Sequence, residues 1–299
     1  MIGFFSALFD PSMPFLRNAL LAGILSSILF GILGTIVTVK RIAGLAGAIS
    51  HAVLGGIGMA LYLSATGTIP NLPPMAGAIL FAILAALIIG IVSMRARQRE
   101  DTVINAIWAI GMSIGVLFMA KTPGYTDPTS YLFGNILLIS GRELILLAVL
   151  DVMVIFLVWR FYPQLEASSF DDEFSQVKGI SPHVVFLILL SVTAIAIVLL
   201  QTFVGIVMVI AMLTLPAGTA GFSAKNMLGM MILAWLYASI FSIGGLVAGW
   251  SFDLPVGAMV VVFAGAIFLA FSAGKMFVRK HKMNTESQIL YRKKRGSEV

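Results

Sequence analysis

The chain is 299 residues long, 60% of them hydrophobic and only 11% charged, and it contains no cysteine. Soluble domains carry roughly 25% charged residues, so this balance excludes a soluble domain and leaves an integral membrane protein; disulfides, thiolate metal sites and cysteine nucleophiles are excluded as well. The net charge of +6 speaks of orientation rather than of nucleic acid, because most basic residues sit between or after apolar runs, where they mark cytoplasmic loops.

In chain order, residues 1–15, with Pro11, Pro14 and the apolar Phe4, Phe5, Leu8 and Phe9, are too short and broken to span a bilayer and read as an outer-face interfacial segment. No cation precedes Arg17, so the basic start of a cleaved signal peptide is not expected. A first span covers about 16–39, roughly 36 Å at 1.5 Å per residue, and drops into Lys40 and Arg41. The second, KRIAGLAGAISHAVLGGIGMALY over 40–62, is the most informative. At helical spacing Gly44, Gly47, His51, Gly55, Gly58 and Tyr62 share one stripe, nearly bare backbone except at His51 and Tyr62. Such a stripe either packs membrane helices closely or lines a path. An imidazole in mid-span marks either a functional site or a histidine satisfied by a neighbouring helix.

After the outer turn ATGTIPNLPP, a third span at 75–94 ends in Arg95, Arg97 and Arg99 of the loop MRARQRED. Placing that loop inside puts Lys40, Arg41 and the tail from Lys275 inside too; of the 19 Lys and Arg, only Arg17, Lys121 and Arg142 fall outside. A fourth span, 102–120, holds Asn105 and the Gly111–Gly115 pair of a GxxxG crossing. Beyond the outer loop KTPGYTDPTSYLFGN, the fifth span at 142–162 contains Asp151 near the midplane. A carboxylate there costs on the order of 3 kcal/mol unless it is paired or faces water. A transport role and a hydrogen bond to a Ser or Thr of another helix are both open.

The next loop, YPQLEASSFDDEFSQVKGISPH, predicts a short helix with both ends signed: Ser169 as cap, Asp171, Asp172 and Glu173 at its start, Lys178 near its end and Gly179 to stop it. Phe170, Phe174 and Val177 give it an apolar stripe that two or three turns cannot bury against themselves. Docking into a groove of a partner protein is the favoured use, since three acids disfavour an anionic membrane surface. Spans six and seven, 184–200 and 202–219, are joined by little more than Gln201, which implies a helical hairpin or a broken, partly re-entrant helix. Spans eight and nine, 228–250 and 255–277, flank the outer turn SFDLP. The expected fold is all-α, a polytopic helical membrane protein of eight or nine transmembrane helices over 16–277, with a cytoplasmic helix at about 169–179 and a basic cytoplasmic tail at 278–299.

No phosphate loop, HExxH, GxSxG or dinucleotide fingerprint occurs, so the chain is expected to be neither an ATPase nor another enzyme. The segments GLAGAISHAVLGGIGMA, DTVINAIWAIGMSIG, YLFGNILLIS, SFDDEFSQVKGIS and VGIVMVIAMLTLPAGTA, in this order and spacing, resemble the membrane permeases of zinc, manganese and iron(II) ABC importers. The resemblance covers about 15–277. It implies a homodimeric permease in the lipid of a bacterial cytoplasmic membrane and two cytoplasmic ABC ATPase subunits docked on the 169–179 helix. It also implies an extracytoplasmic binding protein that delivers the metal. Phe170, Asp171, Phe174, Val177 and Gly179 are then the ATPase-docking residues, and the helix is a coupling helix.

One motif departs from the family. Where it usually reads G-D-x-[LI]-[SA]-H-[AS]-x-L-P-G, Gly47 replaces the aspartate and Gly55 the proline. An acid at 47 would share a helical face with His51 at i,i+4 spacing; here only the borderline nitrogen ligand remains. Asp151, Glu143 or water is expected to supply oxygen, and Gly47, Ser50, Gly55 and Gly58 to line the path. The leading expectation is thus a permease that moves a divalent metal ion as substrate, with no cofactor of its own. The alternatives are an ATPase-independent channel or secondary ion transporter, and an ABC permease for a metal chelate.

Overall fold

The structure, a computed structural model, describes residues 4–95, 100–124 and 129–296. Twelve α-helices occur among them: α1 (Phe4–Leu8), α2 (Pro14–Val39), α3 (Ala43–Ala65), α4 (Pro74–Arg95), α5 (Glu100–Lys121), α6 (Thr129–Phe133), α7 (Gly141–Phe170), α8 (Asp172–Val177), α9 (Pro182–Val204), α10 (Ile206–Gly221), α11 (Met227–Phe252) and α12 (Val256–Gly296). Eight of the described helices are long and apolar enough to cross a membrane, and this is a multi-pass all-α protein. Their ends carry local signals: proline opens α2 and α9, and the Asn226 side chain caps α11 by accepting from the Gly229 amide at 2.7 Å. The α1 segment is half-docked rather than simply laid on a surface, with Phe4 and Ala7 buried and Phe9 exposed.

Close contacts fix the direction of each crossing. Gly23 of α2 meets Ser242 of α11 and Gly31 meets Trp235, so those helices are antiparallel. Gly56 of α3 meets Gly77 of α4, again antiparallel, whereas Gly44, Gly55 and Gly58 meet Ile104, Gly111 and Gly115 of α5 in parallel. One end of the bundle therefore collects Lys40, Arg41, Ser168, Lys225 and Lys275, and we call it the basic end.

The α9–α10 junction is where the sequence leaves the count between eight and nine, and eight of the described helices are long and apolar enough to cross. Gln201 is buried inside α9, not at the turn; the break is at Gly205, whose φ of +85° and ψ of 159° favour glycine. Gly205 and Gly134, the latter at φ +59°, press backbone against backbone, and a Cβ on either would enter the other. From that contact α10 runs to the basic end, where the Lys275 ammonium donates to the Phe222 carbonyl at 2.7 Å. Its 16 residues reach about 24 Å. It is shorter than the eight helices long enough to cross, and its prolyl residue, Pro216, lies buried within it.

Two boundaries also differ from expectation. The fifth span does not stop at residue 162: α7 continues to Phe170 through Pro163, with a kink at Phe161 (φ −115°, ψ 17°). A proline removes one helical donor and crowds the carbonyl four residues back, which bends a helix without ending it when the surroundings hold both halves. The outer loop before α7 is not a plain surface connection, because Ile136 and Ile139 are buried in the core beside the Gly134 contact.

Candidate functional site

The glycine stripe of α3 is a seam with α5. A Cβ on Gly58 would lie 2.5 Å from the Gly115 carbonyl oxygen, and one on Gly55 would lie 2.8 Å from that of Gly111. The Gly111–Gly115 pair thus forms the other half of the contact, and Tyr62 closes the seam against Phe118 at a ring-centroid distance of 5.4 Å. Gly47, Gly55 and Gly58 lie against α5, and the buried Ser50 hydroxyl donates to the Ala46 carbonyl at 2.9 Å.

His51 sits in this seam, 7% exposed. Its imidazole stacks on the Trp108 indole, with centroids 4.3 Å apart and planes inclined by 20°. Buried Nδ1 has no hydrogen-bond partner. A buried imidazole nitrogen without a partner forgoes a bond that buried polar groups nearly always make. Trp108 escaped the sequence reading, although it lies one turn before Gly111 on the same face of α5.

Asp151 lies in the first half of α7, among that helix's buried residues. It is 3% exposed, and neither carboxylate oxygen has a hydrogen-bond partner. Leu147, Leu150 and Val154 surround it along its own helix. No side-chain hydroxyl answers it, which removes the bland alternative of a Ser or Thr partner among the described residues. Glu143, at the start of α7, is engaged differently: its Oε2 accepts from the Ser140 amide and hydroxyl, each at 2.8 Å, while the Ser140 hydroxyl accepts from the Glu143 amide at 3.3 Å. That is a capping box. Among the described residues no three His, Asp or Glu converge as a metal-binding group, so His51, Asp151 and Glu143 are not brought together within one chain. A further buried polar side chain, Gln201, leaves both amide atoms unpartnered near the α9–α10 break.

At the basic end, α8 is shorter than the sequence suggests, and its N-cap is Asp171, not Ser169. The Asp171 carboxylate accepts from the Phe174 amide at 2.9 Å, while Ser169 donates back to the Leu165 carbonyl at 2.6 Å because α7 runs past it. Gly179, at φ +76°, turns the chain after Lys178, whose ammonium lies 4.5 Å from the centre of the Phe174 ring. Phe170, Phe174 and Val177 are 66%, 48% and 88% exposed. Ser175 anchors the opposite face, buried and donating to the Asp171 carbonyl at 2.8 Å. Just beneath, Gly179 and Ile180 border an apolar cavity of about 450 Å³ between α2, α7 and α9.

Residues 12–275 match the ABC 3 transport family. The manganese transport system membrane protein MntC of Halalkalibacterium halodurans is 32% identical over 263 residues, 87% of either chain. MntC of Listeria monocytogenes is 30% identical over 275 residues, 90% of this chain and 95% of its own. Among solved structures, PsaBC from Streptococcus pneumoniae superposes with a TM-score of 0.78 at 29% identity, over 90% of this chain and 94% of that one. With the family match extending from the start of α2 to the end of the apolar part of α12, the chain belongs to the ABC 3 transport family.

Proposed function

We propose that this chain is the permease subunit of an ATP-binding-cassette importer that carries a divalent metal ion into the cytoplasm by alternating access. What carries the reading is the α7–α8 corner, where Phe170 at the end of α7 and Phe174 and Val177 of α8 are exposed beside the basic end, on a chain whose family match covers residues 12–275. A self-sufficient channel has no use for such a trio. Two ABC ATPase subunits would seat on α8 of a homodimer, at the cytoplasmic face of a bacterial cytoplasmic membrane, with the C-terminus on the same side. An extracytoplasmic metal-binding protein would load the opposite end. His51 and Asp151 are the groups on this chain that would meet the ion in transit, and both leave atoms unpartnered for it. Hydrolysis belongs to the partner, so the chain itself is no enzyme and needs no resident cofactor. A path needs only modest affinity, since a site that holds its ion too tightly does not release it.

The test is metal uptake by vesicles that contain the purified chain, with and without the ATPase. Uptake that requires both ATPase and ATP supports the reading. Equal uptake without the ATPase overturns it in favour of a channel or secondary transporter, and uptake of a chelate in preference to the free ion overturns the choice of cargo.

A further inference from the structure

We propose that Trp108 is a positioning and selectivity residue of the His51 site, filling the space beside Gly47 and turning the site away from manganese(II) toward zinc(II). The inference rests on His51 meeting the metal.

Gly47 lies one helical turn before His51, on the same face of α3. A Cβ there would come within 2.9 Å of Trp108 Cζ3. The indole therefore occupies the room that any side chain at 47 needs, and an acid at 47 and the present Trp108 position exclude each other. The same indole covers one face of the His51 ring at 4.3 Å. Imidazole is left with its edge, where Nδ1 is buried and unpartnered. An aromatic wall that fixes the plane of a ligating ring does the work usually done by outer-shell hydrogen bonds.

The consequence is a difference in ligand hardness. Manganese(II) stands at the weak end of the divalent series for nitrogen and is suited by carboxylate oxygen; zinc(II) is suited by imidazole. Beside Trp108, α3 offers the His51 nitrogen and, with Gly47 under the indole, no carboxylate.

The full-length chain in lipid nanodiscs is equilibrated with radiolabelled zinc(II) and manganese(II). Zinc should be retained in preference to manganese, and Trp108→Phe, which keeps a ring on the imidazole, should preserve the preference. Trp108→Ala should weaken zinc by about tenfold or more, the usual loss when an orienting neighbour is removed. Combining Gly47→Asp with Trp108→Ala should bring manganese up relative to zinc by a similar factor. A zinc-to-manganese ratio unchanged in the double variant, while His51→Ala still loses zinc, overturns the role of Trp108 and leaves His51 standing. Wild-type zinc retention in His51→Ala overturns both. Should the alanine variants fail to fold, cobalt(II) quenching of tryptophan emission provides a second measurement. Quenching should be largely lost in Trp108→Phe, and in the unaltered chain zinc should reverse it at lower concentration than manganese. Equal quenching in the two proteins, or reversal by manganese as readily as by zinc, also overturns the proposal.

Discussion

Replacing Asp151 should make the protein more stable and inactive. The side chain is 3% exposed and both of its oxygens lack partners, so nothing in the fold offsets its burial. An ionised or acidic group at the centre of a membrane helix costs about 3 kcal/mol, whereas leucine there gains a few tenths. Extra methylenes in a packed site take back about 1–2 kcal/mol through overpacking. Asp151→Leu is therefore expected to raise unfolding stability by about 1–2 kcal/mol, the difference between those terms. Asp151→Asn, of nearly equal volume, should be stability-neutral or slightly stabilising. Both should abolish ATP-driven metal uptake. Denaturant midpoints in detergent, read beside vesicle uptake, check the two halves together. A loss of about 3 kcal/mol or more in either variant, the penalty for stripping one partner from a buried pair, would refute the reasoning, because it would mean the carboxylate is held by structure and not kept open for cargo.

The other expectations are more local. Gly205→Ala should cost about 1–3 kcal/mol from its backbone conformation alone, with more from collision with Gly134, and a scan of thermal unfolding with Gly265→Ala as the uncrowded control should show the difference; equal midpoints would disprove the account of the α9–α10 break. Phe174→Asp should weaken ATPase co-purification by about tenfold or more, as loss of an aromatic anchor does, and an undiminished complex would remove α8 as the docking element. Glu143→Ala should lose about 1 kcal/mol of stability with its capping bonds while uptake persists; abolished uptake at unchanged stability would instead make Glu143 a ligand.

Hydropathy and proline placement reveal the long spans well, because in hydrocarbon each crossing must be a self-satisfied helix and its ends must carry the charges. What they miss is partnership. The α3 stripe announces close approach, and both of its uses were open; only the packed structure assigns it to α5, since a glycine face looks the same against a helix as beside a path. Trp108 was passed over because an aromatic on an apolar helix is ordinary, and its meaning comes from Gly47, which is distant in sequence. The segment at 134–139 reads as loop for want of periodicity, yet it is pinned by a backbone contact with Gly205. In α7 the helix passes through Pro163, where propensity counts the lost hydrogen bond and not the surroundings that tolerate it. The exposed trio at the α7–α8 corner is legible from spacing and charge, although the cap is not.

The parallel arrangement of α3 and α5 bears on how the protein is made. Neighbours joined by a short turn must be antiparallel, so two helices that point the same way cannot form a hairpin; α4 has to cross between them first. The α3–α5 glycine seam, and with it the setting of His51, is therefore closed by a return contact across an intervening crossing, and loop-closure entropy is met before that contact is rewarded. Without α5, a pair made of α3 and α4 would leave the glycine face of α3 uncovered. A synthesis intermediate truncated before residue 100 should present exactly that face to whatever insertion machinery attends it.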